Sequence, residues 1–91
     1  MESESYRQFI ATEIRTEAIR QRRRGKKTSR GDEMSLAAIG RTLDPPVTRT
    51  AVYLVVDGHA ESRRIKDAIE RELGIPYWIR EKAAAAASRA A

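Results

Sequence analysis

The sequence predicts an all-α domain of five helices with a long N-terminal helix. Three observations support this fold class. Apolar residues recur at helical spacing in several segments, no two segments form a convincing pair of β-strands, and Gly or Pro residues follow the periodic segments. A chain of 91 residues is long enough for one small domain with a modest core.

The first predicted helix occupies residues 1–24. Its apolar positions fall on one helical stripe, and they are Tyr6, Phe9, Ile10, Ile14, Ala18 and Ile19. The helix dipole favours the basic residues in its last turns, and Gly25 offers a stop. Residues 25–34, GKKTSRGDEM, are mostly polar and predict a basic loop. We expect the basic half of this loop to be mobile until a phosphate orders it.

Residues 35–43, SLAAIGRTL, predict a short second helix with Ser35 as its N-cap. Gly40 lies on the apolar face of this helix, where glycine costs about 1 kcal/mol relative to alanine. A small residue at this place indicates that another helix crosses closely. Asp44 and the Pro45-Pro46 step end the helix, because a residue that precedes proline avoids the helical conformation.

Residues 48–57 have two interpretations. A helix capped by Thr48 would turn three valines inward, namely Val52, Val55 and Val56. A strand would instead alternate its apolar residues between two faces. We prefer the helix, because a lone strand has no partner within the chain. The remaining strand option is a ribbon to which each subunit of a dimer lends one strand.

Residues 61–73, ESRRIKDAIEREL, predict the clearest helix, and Gly74 stands where a C-terminal cap is expected. Its apolar stripe consists of Ile65, Ala68, Ile69 and Leu73. Pro76 suits the first turn of a fifth helix, in which Trp78 and Ile79 would close the core.

These segments divide the chain into four parts. The N-terminal helix over residues 1–24 and the basic loop over residues 25–34 precede one compact helical domain over residues 35–82. An alanine-rich tail over residues 83–91 follows, and nothing in its composition requires a packed partner.

Positive charge is concentrated in one part of the chain. The net charge is +5, and residues 20–30, RQRRRGKKTSR, hold seven Lys or Arg and no acid. A cluster of this kind contacts phosphates without reading bases. Nucleic acid is therefore the expected partner, and the alternative is a solvated basic loop without a partner.

Several classes of protein are excluded by composition. The absence of Cys rules out disulfides and thiolate metal sites. The longest apolar run, Ala51–Val56, is too short to span a bilayer, and no signal-peptide pattern is evident. We therefore expect a cytoplasmic protein that does not bind membranes. Asp67, Glu70 and Glu72 look like ordinary charges on an exposed helix face, so no enzyme activity, metal or cofactor is expected.

The second half of the chain has a characteristic order of elements. A short helix and a turn precede a second short helix with Thr and Arg at its start, and SRRIKDAIERELGIPYWI follows. This order resembles the λ-repressor-like class of helix-turn-helix domains. The last segment is similar to the Ner-like and related small regulators of Mu-type phages, in which R-I-x-x-A-I-x-x-x-L-G-I-P precedes a Trp. The matching residues are Arg64, Ile65, Ala68, Ile69, Leu73, Gly74, Ile75, Pro76 and Trp78.

The resemblance covers residues 35–79 and implies a regulator that binds double-stranded DNA sequence-specifically as a dimer. The second helix of such a motif enters the major groove, which implies base contacts from Thr48, Arg49, Thr50 and Tyr53. The alternative roles are helix capping for Thr48, phosphate contact for Arg49 and packing for Tyr53. Phosphate contacts are expected from Arg20, Arg22, Arg23, Arg24, Lys26, Lys27, Arg30, Arg41, His59, Arg63 and Arg64.

The leading functional hypothesis is a repressor that binds an operator with two-fold symmetry as a homodimer. Either the long first helix, through Tyr6, Phe9 and Ile14, or the Tyr77–Trp78 region is expected to supply the dimer contact. Two rival functions stay open. One is an architectural protein that bends DNA with little sequence preference, and the other is a protein–protein adaptor such as an antitoxin.

Overall fold

The computed structural model describes residues 2–79, with side chains from Tyr6 onward. This part of the chain contains four helices. They are α1 (Glu2–Arg23), α2 (Leu36–Gly40), α3 (Arg49–Val56) and α4 (Arg63–Leu73). An isolated antiparallel bridge joins Lys27 to Glu33, and residues 2–79 contain no strand. The predicted all-α class is therefore confirmed.

The predicted fifth helix and the alanine-rich tail fall at or beyond the end of this description. Residues 77–78 form a turn after α4, and the chain from residue 80 onward lies outside the described residues. The count of five helices thus stays a prediction. No helix between residues 2 and 79 is both long and apolar enough to cross a membrane.

The core lies between α1 and the three shorter helices. Helix α1 packs against α3 and α4, and α2 also packs against α3 and α4. The large side chains that are most completely buried are Ile14, Met34, Ile39, Val52 and Ile69. Two members of the predicted α1 stripe, Phe9 and Ile19, are 59% and 53% exposed. Both lie far around the helix from Ile14 at 3.6 residues per turn, so the apolar positions of α1 are divided between a buried side and an exposed side.

Gly40 allows α2 to approach α3 closely. A Cβ atom built on Gly40 would lie 2.7 Å from the carbonyl oxygen of Val47 and 3.0 Å from Cγ2 of Val52. This geometry confirms the close crossing that the glycine predicted. The hydroxyl of Ser35 caps α2 as predicted. The helix ends at Gly40, before the predicted boundary, because the N–H groups of residues 41–43 donate to carbonyls three residues earlier.

The third segment is helical, so the strand interpretation and the two-subunit ribbon are wrong. The hydroxyl of Thr48 accepts a hydrogen bond from the N–H of Ala51 at 3.1 Å and caps α3 as predicted. The core-facing residues are Val52, Val55 and Val56. β-Branched residues lower helix propensity by only tenths of a kcal/mol each, and burial outweighs that cost.

The predicted boundaries and stripe of α4 are close to those observed. The hydroxyl of Ser62 accepts a hydrogen bond from the N–H of Ile65 at 3.2 Å, and Gly74 ends the helix with a left-handed φ of 80°. The buried stripe contains Ile65, Ala68, Ile69 and Leu73. Trp78 is buried as predicted, whereas Ile79 is 58% exposed and does not close the core.

The basic loop is tied to α4 through Glu72. The backbone N–H and the hydroxyl of Ser29 donate to the Glu72 carboxylate at 2.9 and 2.6 Å, and Nε of Arg71 donates to it at 3.2 Å. Burial would raise the pKa of Glu72, but these hydrogen bonds outweigh it and lower the pKa below 4.5. Glu72 is therefore not the exposed charge that the sequence predicted, and the loop is held in place rather than free.

Two more charges of α4 are engaged within the fold. Lys66 is only 3% exposed, with its ammonium 3.0 Å from the Glu61 carboxylate and 5.4 Å from the centre of the Trp78 ring. Glu70 accepts a hydrogen bond from the backbone N–H of Trp78 at 2.7 Å. The prediction that Glu70 is an ordinary exposed charge was wrong, because its carboxylate fixes the turn that follows α4.

Candidate nucleic-acid interface

The exposed side of α3 carries the residues predicted to read bases. Arg49 and Thr50 are exposed in its first turn, and Tyr53 is half-buried one turn later. Positions 49 and 53 are four residues apart and therefore lie on the same face of the helix. Thr48 is exposed as well, but its hydroxyl accepts the hydrogen bond that caps α3. The buried valines of α3 hold this exposed side at the surface.

Tyr53 lies beside two guanidinium groups. The Arg49 guanidinium carbon is 5.2 Å from the centre of the Tyr53 ring, and the corresponding atom of Arg15 is 5.4 Å from it. Arg15 also pairs with both carboxylate oxygens of Asp57, at 2.9 and 3.0 Å. Stacking on an aromatic ring fixes the plane of a guanidinium and directs its N–H groups. These contacts arrange Arg15, Tyr53 and Arg49 as one cationic–aromatic group.

Sequence reasoning missed the part that Arg15 takes in this group. Arg15 belongs to α1, and its partners Tyr53 and Asp57 lie far along the chain on and just after α3. Only tertiary packing brings them together. The nearest signal in the sequence is that Arg15 directly follows buried Ile14, which places it at the border of the α1 core stripe.

A row of three arginines runs along the edge of α1 that borders α3. Arg7, Arg15 and Arg22 are spaced by eight and seven residues, so they share a side of the helix. Arg7 and Arg15 line a polar cleft of about 570 Å³ with Asp57 and His59. Arg15 and Arg22 line a second groove, of about 240 Å³, that Leu36, Tyr53 and other residues complete.

Three other arginines hold the connection between α2 and α3. Arg30 donates to the carbonyl oxygen of Arg41 at 2.9 Å, Arg71 donates to the hydroxyl of Thr42 at 3.2 Å, and Arg64 donates to the carbonyl oxygen of Pro45. The peptide bond between Asp44 and Pro45 is cis. Arg41 itself lies 3.6 Å from the Asp32 carboxylate. Of the predicted phosphate contacts, Arg30 and Arg64 therefore bind the backbone of the segment between α2 and α3, and Arg41 is the first residue of that segment.

Two of the predicted phosphate contacts lie on the other edge of α1. Arg20 and Arg24 both pair with Glu17. The hydrogen bond from Gln21 is the main reason that the pKa of Glu17 lies below 4.5. Burial opposes this shift, whereas Arg20 and Arg24 lower the pKa further. Burial raises the pKa of the Tyr77 hydroxyl to about 12, and the charge of Glu17 adds to that rise. This edge of α1 therefore adjoins the turn after α4 rather than α3.

The remaining predicted phosphate contacts are spread over the surface. Arg22 pairs with Glu33 at 2.9 Å and Arg63 with Asp67 at 3.8 Å. Lys26 donates to the backbone carbonyl of Glu72 at 3.2 Å. The other members of the set are exposed, namely Arg23, Lys27 and His59. Exposed ion pairs contribute about 0–1 kcal/mol, so a phosphate can replace the carboxylate at little cost.

No protein-family model matches the chain, and no curated protein or solved structure is significantly similar to it. The geometry of α3 and of the arginines around it is therefore the basis for assigning a function.

Proposed function

We propose that this protein is a regulator that binds double-stranded DNA sequence-specifically and uses α3 as its recognition helix. One observation carries the proposal. The first turns of α3 leave Arg49 and Thr50 exposed and Tyr53 half-buried, while Val52, Val55 and Val56 are buried and anchor the helix in the core. A short, rigidly held helix with polar side chains at its leading end suits insertion into a major groove.

Each residue of this face has a distinct proposed role. Arg49 pairs with the O6 and N7 acceptors of a guanine, a contact typically worth about 1–3 kcal/mol of discrimination. Thr50 donates to a base edge or meets a thymine methyl group. Tyr53 orients Arg49 by stacking under its guanidinium. Thr48 positions the helix through its cap rather than by contacting a base.

Phosphate contacts on either side of α3 are proposed to set the register of the helix in the groove. Arg64 binds the segment that leads into α3, Arg41 begins that segment, and His59 follows the trailing end of α3. Exposed basic side chains at both ends can contact both strands that border one major groove, which is about 12 Å wide.

We propose further that the protein binds as a dimer on an operator with two-fold symmetry, with half-sites about 34–36 Å apart. One predicted dimer contact, the Tyr77–Trp78 region, is buried, since each of its side chains is only 7% exposed. In the other predicted contact, on α1, Ile14 is fully buried as well. The outer face of α1 remains, with exposed Phe9 and Ile19 as its apolar residues.

Selection of bound sequences from a random DNA pool tests the proposal, followed by competition between the selected duplex and random duplexes. We expect enrichment of a two-fold symmetric sequence and specific binding at least 10³ tighter than random binding, in the usual range for such regulators. Equal competition by random DNA would favour an architectural role. Retention of a protein partner with no DNA binding at any salt concentration would favour the adaptor.

A further inference from the structure

We infer that α1 is a second DNA-contacting element, whose row of Arg7, Arg15 and Arg22 follows the phosphates of one strand beside α3. The inference rests on the proposed function and assigns the phosphate contacts to particular side chains. Of the α1 residues in the cluster at residues 20–30, only Arg22 then belongs to this row. Arg7 and Arg15 join the interface although both lie outside that cluster.

Packing of α1 places the row beside the recognition face. Ala11 and Ala18 lie on the same side of α1, are 6% and 5% exposed, and let the helix sit close to its neighbours. The three arginines project at the border of this contact and remain exposed. Small buried residues alternating with exposed arginines thus bring the positive edge of α1 alongside α3.

Each arginine of the row lies beside a different part of the interface. Arg7 lies against Gly58, just beyond the trailing end of α3. A Cβ atom built on Gly58 would be 3.0 Å from Cδ of Arg7. Arg15 stacks on Tyr53 in the middle of α3. Arg22 lines the groove that includes Leu36, at the start of α2. The row therefore runs from the trailing end of α3, past Tyr53, to the start of α2.

The dimensions of the row suit a DNA backbone. A helix rises about 1.5 Å per residue, so Arg7 and Arg22 are separated by about 22 Å along α1. That length corresponds to about six base pairs at 3.4 Å each. Arg15 already pairs with the half-buried carboxylate of Asp57, and Arg22 pairs with the exposed carboxylate of Glu33. Phosphate oxygens accept from a guanidinium with the same two-pronged geometry as a carboxylate, so they can take these places.

The same helix offers a control set of equal charge. Arg20, Arg23 and Arg24 are exposed, and the pairing of two of them with Glu17 directs them towards the other edge of α1. If α1 contacts DNA through its α3-facing edge, these three residues contribute less to binding than the row, although they belong to the densest basic segment of the sequence.

Two triple variants test the inference by the salt dependence of DNA binding. The row variant is Arg7→Gln, Arg15→Gln and Arg22→Gln, and the matched control is Arg20→Gln, Arg23→Gln and Arg24→Gln. Each phosphate contact contributes about 0.9 to the slope of log K against log salt concentration. We expect the slope to fall by about 2–3 in the row variant and by less than about 1 in the control, on both selected and random duplexes.

A third variant, with Lys at the three row positions, separates charge from folding. It keeps the charge, so we expect it to recover most of the wild-type slope, and circular dichroism reports whether each variant is folded. Equal losses in the two Gln variants would overturn the inference and leave the recognition role of α3 intact. A row-specific loss combined with equal affinity for selected and random DNA would keep the inference and reject a sequence-specific regulator. Absence of DNA binding by the unaltered chain would reject both.

Discussion

At the scale of single residues, Arg49 combines the support of an aromatic ring with an exposed position in the first turn of α3. The Tyr53 ring lies 5.2 Å below its guanidinium, and the helix that carries it is anchored by buried valines. A guanidinium with a fixed plane can select guanine through two parallel hydrogen bonds, whereas a freely rotating one mainly supplies charge. Specificity is therefore expected to depend on Arg49 out of proportion to its charge.

We predict that Arg49→Ala lowers the affinity for the selected duplex by about tenfold to a hundredfold, equivalent to about 1–3 kcal/mol. Binding to random DNA should weaken far less, and competition binding measures both. The control is Lys27→Ala, which removes the same charge at an exposed position of the basic loop and should leave the ratio of specific to random affinity unchanged. Equal effects of the two substitutions on that ratio would contradict base reading by Arg49.

Glu72 links the basic loop to α4 and makes stability depend on acid pH. Folding lowers its pKa below 4.5, because the hydrogen bonds from Ser29 and Arg71 outweigh the effect of burial. The unfolded chain therefore binds this proton more readily. The stabilisation is complete above pH 4.5 and is lost as the pH falls through the folded pKa.

The corresponding prediction compares wild type with Glu72→Gln between pH 6 and pH 3. We expect the free energy of unfolding of wild type to fall more steeply below pH 4.5 than that of the variant, as measured by urea denaturation. Ser29→Ala removes one of the hydrogen bonds and should reduce the steepness in the same direction by a smaller amount. Superimposable acid profiles for wild type and Glu72→Gln would show that this carboxylate does not hold the loop.

At the scale of elements, the α2–α3 pair depends on backbone contact at Gly40. Alanine is a better helix former than glycine by about 1 kcal/mol, so propensity alone favours replacing it. The Val47 carbonyl oxygen would lie 2.7 Å from the new methyl group, and backbone cannot move aside as a flexible side chain can. The clash is therefore expected to decide the outcome.

We predict that Gly40→Ala destabilises the protein by about 1–3 kcal/mol, the usual cost of overpacking a core, as measured by thermal or urea denaturation. Ala37→Gly, at a half-exposed position of the same helix, provides the comparison. It changes propensity without adding volume and should cost about 1 kcal/mol. A higher melting temperature for Gly40→Ala would mean that α2 and α3 are not in close contact.

The elements predictable from the sequence are those whose signals are local. The caps at Ser35 and Thr48, the valine stripe of α3 and the Gly74 stop follow from the preferences of neighbouring residues, and the structure has all of them. The pairing of Glu72 with Ser29, and the stacking of Arg15 on Tyr53, join residues more than thirty positions apart. Periodicity carries no information about such contacts, so the positions of the loop and of Arg15 were not predictable.

At the scale of the whole molecule, the outer face of α1 leaves two large apolar side chains, Phe9 and Ile19, exposed. Phe9, Thr12, Thr16 and Ile19 are exposed and follow each other at spacings of three, four and three residues. That spacing is typical of the seam between two packed helices. Of the two sequence-based proposals for the dimer contact, the one that uses α1 is the more compatible with the burial of Tyr77 and Trp78.

We predict that the double variant Phe9→Ser and Ile19→Ser is monomeric in sedimentation equilibrium and still binds a single half-site. Its affinity for the complete operator should fall by about 10²–10⁴, because the second half-site is no longer bound intramolecularly. Ile79→Ser, which removes another exposed apolar side chain, should leave both properties unchanged. A dimer that survives the double variant would place the contact elsewhere.

The anchoring of the basic loop by Ser29 and Glu72 has a consequence for the thermodynamics of association. A free cationic tail loses conformational entropy each time it meets a polyanion, whereas this segment is already immobilised when the protein folds. Complex formation then resembles the docking of two preformed bodies. Calorimetry should accordingly show a small heat-capacity change, without the large contribution that accompanies coupled folding.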